Sequence, residues 1–132
     1  MELGMIGLGR MGSSMARRLL RGGHSIVAYD PAKEAVEALT EEGASGASSV
    51  AELVSKLAAP RSVWIMVPSG EATENVINNL AAELIGGDTI IDGGNSYYKD
   101  SIRRAAALAA QDFRFLDVGT SGGIWGFRKV TA

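Results

Sequence analysis

Short apolar runs alternate along this chain with longer segments of helical period, and each changeover falls at glycine, proline or a helix-capping residue. The runs Leu3 to Ile6, Ser25 to Tyr29, Ala44 to Ala47, Ser62 to Val67, Asp88 to Asp92 and Phe113 to Val118 predict strands. Between them, Met11 to Arg21, Ala32 to Glu42, Val50 to Leu57, Glu71 to Leu84 and Tyr97 to Ala110 predict helices, with Gly22-Gly23, Gly43 and Gly86-Gly87 as C-terminal stops. The strands are largely apolar rather than alternating, as in Val63-Trp64-Ile65-Met66-Val67, which suits parallel strands covered by helices on both faces. The expected fold class is α/β, a doubly wound, mostly parallel sheet.

The first changeover is the most specific. Gly7-Leu8-Gly9-Arg10-Met11-Gly12 carries a strand into a helix through three glycines, the turn that cradles a pyrophosphate in a dinucleotide-binding fold. Gly7 permits the tight turn, Gly9 lets the backbone approach the phosphates, and Gly12 lets helix and strand pack closely. The helix's free N–H groups and positive dipole end then face the anion. This makes the expectation a Rossmann-type fold, with strand order 3-2-1-4-5-6 by analogy.

Composition narrows the function classes. At 132 residues the chain is long enough for one domain with a buried core. Its 13 Lys+Arg stand against 15 Asp+Glu with no basic block, so the footprint of a nucleic-acid or anionic-membrane binder is missing. The absence of cysteine removes disulfides, thiolate nucleophiles and cysteine metal sites, and agrees with a reducing compartment. No apolar run approaches the roughly 20 residues of a membrane span, and Met1-Glu2 opens without the basic region of a signal peptide. A cytoplasmic protein is expected. Glycine is 17 of 132 residues, about twice the usual share, and much of the excess sits where strands end, the edge at which open α/β sheets bind ligands.

Asp30 ends the second strand, at the spacing from Gly12 where a carboxylate accepts hydrogen bonds from an adenosine ribose and repels a 2′-phosphate, so NAD is expected over NADP. The alternative is that Asp30, followed by Pro31, caps the next helix. The two roles are compatible, and Lys33, one turn on, would soften the charge and leave NADP open as a ligand. Three further strand ends carry polar, glycine-containing loops: Val67-Pro68-Ser69-Gly70, Asp92-Gly93-Gly94-Asn95-Ser96 and Gly119-Thr120-Ser121-Gly122-Gly123. Ser69 and Ser96 also read as helix N-caps and Gly93-Gly94 as a tight turn. Asn95 offers a donor and an acceptor, enough to bridge a ribose and a substrate hydroxyl. The single histidine, His24, follows Gly22-Gly23 in a helix-to-strand turn, where it is expected at the surface and cannot anchor a triad or a metal site. Arg17, Arg18 and Arg21 complement the first helix's dipole. Trp64 and the run Ala105 to Ala110 are expected in the core, and Asp117 either faces the crevice or bonds locally.

Together, GLGRMG at Gly7 to Gly12, MVPSG at Met66 to Gly70, DGGNSYYKDSIRR at Asp92 to Arg104 and TSGG at Thr120 to Gly123 resemble 6-phosphogluconate dehydrogenase, particularly its shorter bacterial form. The resemblance spans essentially the whole chain. The DGGNS block is its specific part, because sister β-hydroxyacid dehydrogenases share the first motif and a similar SGG loop. The resemblance implies that the glycine turn binds the pyrophosphate, that Val67, Pro68 and Ser69 border the nicotinamide ribose, and that Asn95 touches both cofactor and sugar acid. Ser121, Gly122 and Gly123 would help hold the substrate, a phosphorylated sugar acid. Members oxidise the C3 hydroxyl of 6-phosphogluconate by hydride transfer to the nicotinamide and then lose carbon dioxide, giving ribulose 5-phosphate.

Members also continue past the SGG loop into a helix bearing lysine and asparagine, then into a large helical domain with an acid, phosphate ligands and the dimer interface. Ile124-Trp125-Gly126 still resembles the shorter form, whereas Phe127 to Ala132 departs from it. The expectation is one cofactor-binding domain over residues 1–132, without the family's base or acid and inactive by itself, from a full-length form that is a homo-oligomer. Lys99, in the first turn of a helix, does not replace the base. Two other readings stay open: the cofactor domain of a β-hydroxyacid dehydrogenase or imine reductase, and a non-catalytic dinucleotide-binding module.

Overall fold

In the computed structural model, which describes residues 1–68, 70–94, 98–119 and 126–129, every parallel strand up to the last is followed by a helix that returns the chain to the same starting edge. The elements are β1 (Glu2–Ile6), α1 (Arg10–Arg21), β2 (Ser25–Tyr29), α2 (Lys33–Glu41), β3 (Ser45–Gly46), α3 (Val50–Ser55), β4 (Ser62–Ile65), α4 (Glu71–Glu83), β5 (Thr89–Asp92), α5 (Tyr98–Ala109), β6 (Arg114–Gly119) and β7 (Gly126–Lys129). The sheet order is β3-β2-β1-β4-β5-β6-β7. The first six strands are parallel in the expected order 3-2-1-4-5-6, a Rossmann-type arrangement, and β7 adds antiparallel to β6, with Gly119 opposite Gly126.

Both faces of the sheet are apolar because successive side chains leave a strand on opposite sides and both sides are covered. Val63 and Ile65 of β4 join a core with Leu53, Ile77, Leu80, Ile90 and Leu108 on the side of α3, α4 and α5. Trp64 and Met66 pack instead with Leu3, Met5, Ala16, Ile26 and Leu39 on the side of α1 and α2. The strands therefore switch helix layers on either side of β1, and the crevice that this creates opens between the C-terminal ends of β1 and β4.

Several expectations needed correction. The antiparallel β7 was not foreseen: Gly-Phe-Arg-Lys is short and charged, the composition that keeps an edge strand from recruiting neighbours. The third strand shrinks to Ser45–Gly46. Of the alanine run, only Ala105 packs in the core with Leu108, while Ala106, Ala107, Ala109 and Ala110 are exposed, because α5 shows the sheet a single stripe. His24 is half-buried rather than at the surface, whereas Trp64 packs against the core as expected while keeping part of its side chain exposed. The helix after Asp30 begins at Lys33 with Ala32 as its N-cap, so neither Asp30 as cap nor Pro31 as first helical residue holds.

Candidate functional site

The strand-to-helix turn after β1 is shaped by what its glycines exclude. Gly7 has φ +97°, and a Cβ there would lie 2.5 Å from the Met66 carbonyl oxygen. A Cβ on Gly12 would overlap the Gly7 carbonyl oxygen. Both positions are closed by backbone. Gly9 is the opposite case: it is the N-cap of α1, at φ −65° and ψ −171°, and a Cβ on it would meet nothing within 4 Å. No side chain caps this helix. The first-turn N–H groups of Arg10, Met11 and Gly12, which have no intrahelical acceptor, therefore open onto space that Gly9 leaves clear. Leu8 is buried, whereas Arg10 and Met11 are exposed beside the turn. Ser13 Oγ donates to the Leu8 carbonyl at 2.8 Å and ties the turn to its helix.

Asp30, at the end of β2, faces this turn. Its Oδ2 accepts from Leu8 N at 2.7 Å and its Oδ1 from Ala32 N at 2.8 Å. The carboxylate is thus oriented by two backbone donors and keeps lone pairs for a further partner. Beyond it, between the ends of β2 and β3, lies a cavity of about 330 Å³ lined by residues including Tyr29, Asp30, Lys33, Val36, Ala47 and Ser48. Its volume falls in the usual range for small-molecule sites.

On the other side of the turn the loops after β4 and β5 nest together. Met66 N donates to the Ile6 carbonyl at 2.8 Å and Gly93 N to the Ile65 carbonyl at 2.9 Å, extending the parallel ladder past the strand ends. Gly94 sits so close to the Val67 carbonyl that a Cβ on it would overlap that oxygen. Asp92, fully buried, accepts from Gly94 N at 2.9 Å, and Thr73 Oγ1 of α4 donates to the Pro68 carbonyl at 2.8 Å.

Below these loops lies a charged cluster. Arg104 of α5, whose side chain is only 2% exposed, donates through Nε to Glu74 Oε1 at 2.6 Å and faces Asp92 Oδ2 at 3.6 Å. Arg103 also reaches Glu74, at 2.7 Å. The Arg103 hydrogen bond holds the Glu74 carboxyl below the usual carboxylate range; burial opposes the shift and Arg104 adds to it.

Gly7, Leu8, Gly9, Arg10, Met11, Gly12, Asp30, Val67 and Pro68 are thus gathered along one edge of the sheet, together with Asp92 to Gly94. Ser69, Asn95, Ser121, Gly122 and Gly123 lie outside the described residues. Asp117 is buried in β6 in register with Asp92. Lys99 is exposed on α5. Arg104 was missed, although a signal existed: with Ser101, Ala105 and Leu108 it occupies the buried stripe of α5, so a charge stood at a core position. The Asp30 bond to Leu8 had no such signal, because it joins residues far apart in sequence. Among the described residues no group of three or more His, Cys, Asp or Glu side chains is placed to hold a metal, and no helix is long and apolar enough to cross a membrane.

Residues 2–132 match the family described as the NAD binding domain of 6-phosphogluconate dehydrogenase. An NAD(+)-dependent, decarboxylating 6-phosphogluconate dehydrogenase of Haloferax volcanii is 47% identical over 123 residues, covering 93% of this chain and 40% of that protein. The solved 6-phosphogluconate dehydrogenase of Plasmodium falciparum superposes with a TM-score of 0.83 at 32% identity, covering 93% of this chain and 28% of that one. The 3-hydroxyisobutyrate dehydrogenase of Mycobacterium tuberculosis gives 0.83 at 27% identity, over 92% of this chain and 41% of that one. The chain spans only 26% to 43% of the length of the curated relatives it matches. With its parallel sheet, glycine turn and DGGNS block, the chain belongs to the 6-phosphogluconate dehydrogenase family of oxidoreductases, as an NAD-binding domain.

Proposed function

We propose that this chain supplies the cofactor half of the active site of an NAD-preferring, decarboxylating 6-phosphogluconate dehydrogenase. The observation that carries the reading is the contrast within the turn: Gly7 and Gly12 are closed by backbone, while Gly9 leaves open space in front of the uncapped first turn of α1. In this reading Gly7 to Gly12 hold the pyrophosphate and Asp30 accepts from the adenosine ribose. Val67, Pro68 and Ser69 border the nicotinamide ribose. Asn95 bridges cofactor and sugar acid, and Ser121, Gly122 and Gly123 receive the substrate. The nicotinamide, when bound, accepts the hydride; this chain's part is to orient it. The relatives' names support 6-phosphogluconate as substrate, and the absence of cysteine favours a cytoplasmic setting.

The cofactor preference follows from charge. A 2′-phosphate beside Asp30 would meet a unit negative charge at a cost of about 1 kcal/mol in bulk water and about 4 kcal/mol at a protein surface for charges 4 Å apart. NADP is therefore expected to bind at least several-fold more weakly than NAD in calorimetric titration. Asp30→Asn should narrow the gap while weakening NAD, because it also loses an acceptor for Leu8 N or Ala32 N. Equal affinities for the two cofactors in the parent protein would remove this role of Asp30.

A further inference from the structure

A buried arginine on an otherwise apolar helix stripe is costly unless its donors are matched, so its partners indicate what holds it there. Arg104 belongs to α5, yet its guanidinium reaches three other places: Glu74 of α4 through Nε at 2.6 Å, the Gly70 carbonyl through one terminal nitrogen at 3.5 Å, and Asp92 at the end of β5 through the other at 3.6 Å. That last nitrogen makes no hydrogen bond and faces the carboxylate as a close ion pair. The two acidic partners differ in setting. Asp92 is fully buried and accepts from Gly94 N, whereas the Glu74 side chain is 30% exposed and shared with Arg103. A planar fork suits this task, because one rigid group can bridge an acceptor within α4, another at its N-cap Gly70 and a third at the end of β5, which an ammonium on a flexible stem does not reproduce.

The two loops that Arg104 bridges are also the ones in direct backbone contact, Gly94 against the Val67 carbonyl. Displacing either loop moves the other. We propose that Arg104 is a positioning residue that locks residues 66–68 and 70 and residues 92–94 into one unit, and that this unit sets affinity for the nicotinamide end of the dinucleotide far more than for the adenosine end. The adenosine end depends on the glycine turn and Asp30, which share no hydrogen bond with Arg104; the turn meets the unit at the opposite end from Gly70, where Gly7 packs against Met66 and Val67. The inference rests on the proposed cofactor reading of the sheet edge.

Binding of NADH and of ADP, which lacks the nicotinamide nucleoside, separates the two ends. In Arg104→Met the NADH affinity should fall at least tenfold, toward that of ADP, while ADP binding stays within about twofold of the parent protein; Arg104→Lys should fall between. Glu74→Ala removes the Nε acceptor and leaves Arg104 paired with Asp92 and the Gly70 carbonyl, and should weaken NADH several-fold with ADP within about twofold, even if Arg104→Met does not fold. NADH and ADP affinities falling by the same factor, or NADH affinity unchanged in Glu74→Ala, would assign Arg104 a purely structural role and overturn the inference. Failure of the parent protein to bind ADP would overturn the cofactor reading itself, and the inference with it.

Discussion

Gly9→Ala and Gly12→Ala are the same chemical change three residues apart, and the structure predicts opposite consequences. At Gly9 the backbone lies in a region open to any residue and the added methyl meets nothing within 4 Å, so the only cost to folding is the poorer N-cap, no more than about 1 kcal/mol. An unfolding entropy of about 2.1 cal/mol/K per residue over 132 residues converts that to a fall in Tm of at most about 4 °C. The methyl does occupy the space in front of the first-turn N–H groups. Losing one charge-assisted hydrogen bond to a phosphate costs about 1.5–3 kcal/mol, which is roughly a 10- to 150-fold weaker Kd. At Gly12 the methyl overlaps the Gly7 carbonyl oxygen, a backbone atom that cannot rotate away, and about 1–3 kcal/mol or more of stability is lost, a Tm lower by roughly 4–11 °C. Thermal melts without ligand and calorimetric titration with NAD measure both numbers for both variants. A Gly9→Ala protein that binds NAD as tightly as the parent would refute the assignment of the turn to the pyrophosphate. A Gly12→Ala protein of unchanged Tm would refute the packing argument.

Two further outcomes concern the frame that holds the site. Asp88 is fully buried and accepts from Arg61 N at 2.7 Å and Ile85 N at 2.9 Å while pairing with the Arg61 guanidinium at 3.3 Å, so Asp88→Ala should cost about 3–5 kcal/mol in urea unfolding; a loss under 1 kcal/mol would show that these bonds contribute little. Glu74, its carboxyl held below the usual range chiefly by Arg103, contributes stability that is present above the unfolded carboxylate value of about 4.3 and is lost as pH falls through the lower folded value. The Tm gap between the parent protein and Glu74→Gln should therefore be widest near neutrality and close in acid, and a gap independent of pH would contradict the ion pairing.

The periodic pattern was enough to place β1, β2, β4, β5 and β6 and all five helices to within a residue or two, because each of these segments buries a stripe whose period matches its geometry. It fell short where burial is not periodic. Ser45–Gly46 is too brief to carry a pattern, and Gly126–Lys129 is a charged edge strand. The site was legible to the extent that it depends on glycine: Gly7, Gly9 and Gly12 each stand where the turn needs them, and Asp30 lies beside them as its spacing suggested. Illegible were the contacts between distant segments. Asp30 looked like a helix cap or a ribose ligand, but its Oδ2 also accepts from Leu8 N, and the place of Arg104 on the buried stripe of α5 did not reveal its partners Glu74 and Asp92. Both bonds depend on the sheet bringing separate βα units together, which no local pattern encodes.

The proposed function makes this chain the NAD-binding part of an enzyme that oxidises 6-phosphogluconate. It is tested most directly by expressing the chain with whatever sequence its gene encodes beyond it and following NADH formation and carbon dioxide release with 6-phosphogluconate, in parallel with 3-hydroxyisobutyrate. NADH and carbon dioxide are expected in equal amounts from 6-phosphogluconate alone, with turnover crippled by Asn95→Ala. NADH from 3-hydroxyisobutyrate and none from 6-phosphogluconate would contradict it.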